Sequence, residues 1–401
     1  MSIRTIAGLR SMQAAPLEVK LVMTQRRIAQ WVDEWGEDGV YVSFSGGKDS
    51  TVLLDIARKM YPNLKAMFVD IPTQYPELKQ FVQTFDNVDI IKPKMNFFQV
   101  CEKYGFPLIS KEVSKAVYNA RKYLKKIKDK TIIATDRQTD RQITGTWAIA
   151  DLLGINRRND KQNPQYLNLK KGIIPSRFND ENYKWGAPAR VLMLSGEMPH
   201  MEKGKLTNEY SKRYDKSKYA FFLDAPFEIS GKCCKEMKKR PALEYQKQTG
   251  RHPIIAQMAD ESELRTQSWI KNGCNAFNSK EPKSNPISFW TEQDVLRYIK
   301  DNNLPICSVY GEVVSDSEEM GQISLPGLEL PEEKLHCTGC KRTGCVCCGF
   351  GAHCKDDTRF LDLKKTHPQM YKILDVAKNN GYTMRQAIEW LAEHGKVYIR
   401  T

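Results

Sequence analysis

Apolar residues recur along this chain in two alternating rhythms. A short apolar run over 39–44, Val40-Tyr41-Val42-Ser43-Phe44, has the length of a strand buried on both faces. Thr51-Val52-Leu53-Leu54-Asp55-Ile56-Ala57 follows with helical spacing and predicts a helix over 50–60. The pair repeats: Leu64 to Asp70 reads as a strand, Glu77 to Phe85 as a helix, and Val88-Asp89-Ile90-Ile91 as a third strand. Ahead of them, Leu17, Leu21, Ile28 and Val32 share one face of a helical stretch reaching Trp35. Strands alternating with helices through short connections predict an α/β fold on a doubly wound parallel sheet.

The rhythm fades over 110–220, where the chain is basic and rich in Asn and Gln, and returns at 253. The middle stretch reads as an insertion carrying its own helices. Beyond it, Pro253 to Met258 predicts a strand and Glu261 to Trp269 a helix. Trp290 to Ile299 predicts another helix, with Thr291 and Asp294 spaced as a capping box. Two more helices are expected at 367–379 and 383–395. The expected organisation is 1–110 as a first α/β half, 111–222 as the insertion, 223–335 as the second half, and 336–401 as a Cys-rich segment with terminal helices.

Composition narrows the function classes. The 401 residues carry a net charge of +14, which favours a polyanionic substrate or partner. Basic residues concentrate at Arg121 to Lys128, Arg157-Arg158, Lys170-Lys171 and Lys235 to Arg240, so the insertion is a candidate surface for DNA or tRNA. A solvated basic face is the plainer alternative. No apolar run approaches membrane-spanning length, and the N-terminal stretch lacks the apolar core of a signal peptide, so a cytoplasmic protein is expected. Oligomeric state leaves no mark on the sequence.

The candidate chemistry begins at Ser45-Gly46-Gly47-Lys48-Asp49-Ser50, between the first strand and the following helix. This order aims backbone N–H groups and the positive end of a helix dipole at one spot, and the paired glycines let an anion come close. Ser45, Ser50 and Thr51 add hydroxyls and Lys48 adds a charge. The spacing is not that of a Walker A loop, whose glycines are separated. Asp70 and Thr73 lie at the end of the second strand, where parallel sheets hold their ligands.

The run SGGKDS resembles the PP-loop of the ATP pyrophosphatase superfamily, whose fold is that of the adenine nucleotide alpha hydrolases. Further segments resemble the phosphoadenylyl-sulfate (PAPS) and adenylyl-sulfate (APS) reductase family in matching order. These are Phe68 to Glu77, Tyr104 to Lys111, Ser230 to Lys238 with Cys233-Cys234, Glu261 to Arg265, Phe289 to Val295 and Arg342 to Cys348. The resemblance implies an enzyme acting on ATP or an adenylyl sulfate, by adenylation and sulfur transfer or by sulfonucleotide reduction. It implies Lys48, Asp49 and Arg265 as catalytic residues. Ser45 to Ser50, Asp70 and Thr73 would be nucleotide contacts, with Asp49 orienting the loop or a Mg²⁺. The reductases' Glu-Cys-Gly-type motif has no counterpart, since no cysteine follows Cys354. That tilts the expectation slightly toward adenylation and sulfur transfer. An alternative from another class is a nucleotide-sensing, nucleic-acid-binding module without turnover, as in a defence or modification system.

Eleven cysteines, six of them between Cys337 and Cys354, point to a metal or an iron–sulfur cluster rather than to disulfides. The family match implies Cys233, Cys234, Cys345 and Cys348 as ligands of a 4Fe–4S cluster. Local spacing alone allows Cys340, or Cys337, with Cys345, Cys348 and Cys354, a pattern resembling the DNA-phosphorothioation sulfurtransferase. A zinc site and unliganded thiols remain open.

Overall fold

The computed structural model describes residues 4–128, 133–136, 138–139, 142–144, 178–180, 186–196, 199–202, 205–210, 212–315 and 334–401. The expected loops at 159–163 and the basic pairs Arg157-Arg158 and Lys170-Lys171 lie outside these residues. The chain divides into two compact units, one of residues 1–96 with 235–346 and one of residues 97–234 with 347–401.

The first unit opens with helices α1 (Ile6–Gln13) and α2 (Leu17–Trp35). It continues with strand β1 (Val40–Ser43), α3 (Lys48–Met60), β2 (Ala66–Val69), α4 (Pro76–Gln83) and β3 (Val88–Ile91). The three strands are parallel and in sequence order. The strand His252–Ile255 then pairs with the other edge of β1, Val42 opposite Ile254. It carries Lys283–Ser284 in parallel and, beyond that, Asn275–Ala276 as the sheet's antiparallel edge. The doubly wound, mostly parallel α/β sheet is therefore present. Its order reverses at β1, and a cleft opens at the carboxyl ends of strands where such a reversal occurs.

Burial explains the order. The first three residues of β1 are apolar because both faces are covered there: Val40, Tyr41 and Val42 are fully buried. Ile28 and Trp31 of α2, Val52, Leu53 and Ile56 of α3, Phe68, Ile254 and Trp290 join Val40 and Val42 in one core, while Tyr41 packs with Met67 and Tyr245. The helix Glu292–Asp301 starts with the expected capping box between Thr291 and Asp294.

The second unit is built around Phe106, Tyr123, Phe222 and Phe227, all fully buried. Leu108–Ile109 pairs in parallel with Gly349–Phe350. The helix Lys111–Lys128 belongs to this unit. The insertion is not only helical. Its described residues include a three-stranded antiparallel sheet, with Ile133–Asp136 between Gln142–Thr144 and Phe178–Asp180, and the hairpin Pro199–Glu202 with Lys205–Tyr210. Among the described residues no helix is long and apolar enough to cross a membrane.

The helix expected at 367–379 is broken. Arg359–Thr366, Pro368–Tyr371 and Ile373–Val376 are separate short helices, and Lys378–Asn379 forms a hairpin with Tyr382–Thr383. Pro368 cannot donate into the preceding turn, so it starts a helix instead of continuing one. Asn380 and Gly381 both adopt positive φ, the backbone that a two-residue hairpin turn requires. The helix Met384–Gly395 forms as expected, with Thr383 and Gln386 as a second capping box.

Candidate active site

The loop leaving β1 is tightly specified. Gly46 has a φ of 72°, and a Cβ there would lie 3.1 Å from both Leu78 and Val82 of α4. Gly47 is the N-cap of α3, and a Cβ there would crowd Ser45, Tyr310 and Thr343 at 3.2–3.3 Å. Ser45 and Ser50 close the loop, their hydroxyls 3.0 Å apart, and the Ser50 hydroxyl donates to the Gly47 carbonyl at 2.9 Å. Thr51 donates to the same carbonyl at 3.1 Å. These hydroxyls fix the backbone between β1 and the first turn of α3.

Lys48 is the first residue of α3, and its side chain is only 7% exposed. Its ammonium donates to Glu292 Oε1 at 2.8 Å and to the Lys341 carbonyl at 3.3 Å. Its backbone N–H donates to the Tyr310 hydroxyl at 3.2 Å, and that hydroxyl shares a 2.5 Å hydrogen bond with Thr343. Burial works to lower the lysine's pKa. The Glu292 hydrogen bond and the charges of Asp49 and Glu292 outweigh it, so the ammonium is held above its ordinary range.

Asp49 shows the opposite balance. Burial raises its carboxyl above the ordinary value and Glu292 adds to the rise, against the opposing charges of Lys48, Arg265 and Arg342. Its Oδ1 is buried and has no hydrogen-bond partner. Arg265 sits in the first turn of the helix Glu263–Asn272 and pairs with Glu261. Burial lowers its pKa, with Asp49 acting against that and Arg342 with it. Lys48, Asp49, Arg265 and Arg342 thus share one electrostatic neighbourhood.

At the end of β2, Asp70 is engaged by Lys79 at 2.7 Å. Thr73 is 1% exposed, and its Oγ1 has no partner, although its carbonyl accepts from Val346 N–H at 2.8 Å. Glu292, Tyr310, Lys341, Arg342 and Thr343 were not expected at the loop. In the sequence Arg342-Thr343 is marked only as the approach to a cysteine motif. Glu292 stands in the capping-box segment, a helix-start signal that carries no chemistry.

The cysteines are placed differently. Cys345 belongs to the first unit, and Cys233, Cys234 and Cys348 to the second. Cys233 and Cys347 are buried, Cys234, Cys345 and Cys348 half-buried, and Cys354 exposed. None of the eleven is in a disulfide. Thiolate sulfur suits iron or zinc. Among the described residues no group of three His, Cys, Asp or Glu side chains is gathered closely enough to hold a metal ion. Near the loop, Cys337 feels Lys48, Glu292 and Asp49, and burial pushes its thiol pKa up.

The basic helix of the insertion also differs from expectation. Arg121 does not face outward: its guanidinium donates to the carbonyls of Phe227 and Ala225 at 2.6 and 2.9 Å. Lys122 and Lys125 are exposed, and the side chains of Lys126 and Lys128 lie outside the described residues.

A glycine-paired loop thus stands between a buried strand and a helix at the sheet's switch point, with the buried Lys48, the half-buried Arg265 and the exposed Arg342 in its electrostatic neighbourhood, an arrangement suited to an anion. The family model for the phosphoadenosine phosphosulfate reductase domain matches residues 39–149 and 200–349, more than half of the chain. The chain belongs to this family. It is therefore a member of a nucleotide-binding, sulfonucleotide-related enzyme family. An uncharacterized protein of Methanocaldococcus jannaschii is 36% identical over 73 residues, a match covering 17% of this chain and 18% of that relative. A crystal structure of the phosphoadenylyl-sulfate reductase of Candida auris, in complex with phosphate, aligns with 80% of this chain and 95% of its own. The identity is 13% and the TM-score 0.32. Within the family match lie the loop, Arg265, Glu292, Tyr310 and Thr343; residues 350–401 fall outside it.

Proposed function

We propose that the chain binds the phosphates of ATP or an adenylyl sulfate at Ser45–Ser50 and acts on them in sulfur transfer or sulfonucleotide chemistry. The observation that supports this most is the gathering of Lys48, Arg265 and Arg342 about the half-buried Asp49. A phosphate oxygen entering the cleft would take Lys48 from Glu292, whose side chain is 61% exposed and can turn to water. Lys48 and Arg265 would then oppose the charge that develops on phosphate or sulfate oxygens as a bond breaks. Asp49 Oδ1 and Thr73 Oγ1, both buried without partners, are groups that a ligand could satisfy. A Mg²⁺ arriving with the nucleotide would be held by Asp49, and a hydroxyl or phosphate oxygen would meet Thr73.

Two reactions fit these residues. Cleavage between the α- and β-phosphates of ATP releases pyrophosphate, and reduction of a sulfonucleotide releases sulfite. Parallel assays of pyrophosphate from ATP and of sulfite from adenylyl sulfate or PAPS, under anaerobic conditions with a dithiol reductant, separate them. Binding without release of either product would instead favour a nucleotide sensor. Failure to bind either nucleotide would overturn the reading.

The same reading includes a 4Fe–4S cluster on Cys233, Cys234, Cys345 and Cys348, with zinc as the alternative. Its support is the donor chemistry and the family-like order of the cysteine motifs. No step is routed through it.

A further inference from the structure

The second unit carries a groove that the nucleotide reading does not use. Its volume is about 470 Å³, and its lining includes Lys218, Tyr219, His353, Lys396, Tyr398 and Arg400. Apart from Lys218 and Tyr219, these residues lie outside the stretch that matches the family model. The groove therefore lies mostly beyond the matched residues.

Its chemistry is one-sided. Lys218, Lys355, Lys396 and Arg400 all line it, and no acidic residue does among the described residues. None of these four cations is in an ion pair among the described residues; Lys218 rests over the Tyr219 ring at 4.9 Å. Four uncompensated cations around one groove repel each other, a cost that an anion removes. His353 adds a ring whose Nδ1 is buried without a hydrogen-bond partner.

The segment after the helix Met384–Gly395 sets the spacing. Lys396 takes the left-handed conformation, with φ at 50°, and ends the helix there. From this point burial alternates: Ile399 is buried, while Lys396, Tyr398 and Arg400 are exposed and line the groove. The order on the open side is cation, aromatic ring, cation, at two-residue intervals. Tyr398 is 69% exposed, a large ring presented to solvent between two charges. An inorganic anion needs neither two tyrosines nor this volume. Duplex DNA offers phosphates but no free base face for a ring to stack on. Single strands offer both.

We propose that this groove binds single-stranded nucleic acid, its phosphates against Lys218, Lys396 and Arg400 and a base against Tyr398. The test is fluorescence anisotropy of the full chain with a labelled oligothymidylate of about twelve nucleotides. Binding is expected at about 50 mM salt and should weaken steeply as salt rises. Tyr398→Ala should weaken it about tenfold, the effect of losing one stacked base. Lys396→Glu with Arg400→Glu should weaken it by about a hundredfold or more, through lost phosphate contacts. Both changes fall on exposed side chains, and an unmoved melting temperature confirms that each variant is folded. Lys48→Ala should bind the strand as tightly as wild type, which separates this groove from the nucleotide loop. The proposal is overturned if wild type binds no strand at that salt, or if both groove variants bind like wild type. It is equally overturned if AMP competes as well as the oligonucleotide per mole, since the groove would then be a mononucleotide site.

Discussion

Lys48 is buried, charged and held by Glu292 and the Lys341 carbonyl. Its proposed role as a phosphate ligand can be measured directly. Lys48→Ala should reduce the affinity for ATP or adenylyl sulfate by about 1–3 kcal/mol, the range of a charge-assisted hydrogen bond. Calorimetric titration decides this, and an unchanged affinity would remove Lys48 from the site. Asp49 gives a pH test. Its folded-state pKa is raised above the ordinary 3.8, mainly by burial. A raised acid contributes stability below its unfolded pKa and loses that contribution as pH climbs through the folded value. Asp49→Asn should therefore gain stability relative to wild type as pH rises from about 4. Melting curves of both proteins across that range test it; a constant difference at every pH would refute it. The loop was legible because strand, glycines, lysine and helix are adjacent in sequence. Its partners were not: Glu292 and Lys341 reach Lys48 from 244 and 293 residues away, and no local pattern announces such contacts.

At the scale of elements, the parallel core was the most legible part. A strand such as β1 must be apolar wherever both of its faces are covered, and its Val-Tyr-Val run reads as a strand at that length. The misread segment at 367–379 fails for an equally local reason. Helical spacing suggested one helix, but Pro368 and the Asn380-Gly381 turn override periodicity, and that dipeptide is itself a strong hairpin signal. The capping box at Thr291 was legible, whereas its second task was hidden. Asp294 also accepts from Lys20 of α2 at 2.8 Å through both carboxylate oxygens, and Lys20 is only 3% exposed. Asp294→Ala removes the cap and strands a buried ammonium, so it should destabilise the first unit by about 3–5 kcal/mol. Adding Lys20→Met should recover much of that loss, because the orphaned charge goes with it. Denaturant titration of the single and double variants measures the recovery. Equal destabilisation in both would assign the cost to the cap alone.

For the whole molecule, the open question is how many of eleven cysteines serve a metal. A core needs few polarizable thiols, and Cys101 shows what such a residue looks like: fully buried, its thiol pKa pushed well up by desolvation. The half-buried Cys234, Cys345 and Cys348 are not of that kind. A cluster would tie residues far apart in the chain to one group, so its binding energy would appear as folding energy. Anaerobically purified protein should then be brown and contain about four irons with matching acid-labile sulfide per chain. Cys234→Ser, Cys345→Ser and Cys348→Ser should each lose the colour and melt at lower temperature. Cys354→Ser, at an exposed thiol outside the proposed ligand set, should keep both. The pattern of loss separates the two ligand sets, since colour lost with Cys354→Ser but kept with Cys234→Ser selects the locally spaced cysteines. Stoichiometric zinc without iron would replace the cluster by a structural zinc site. Absence of both metals from anaerobic protein would leave the cysteines as thiols, and the nucleotide loop would stand without them, because none of the contacts described for it passes through sulfur.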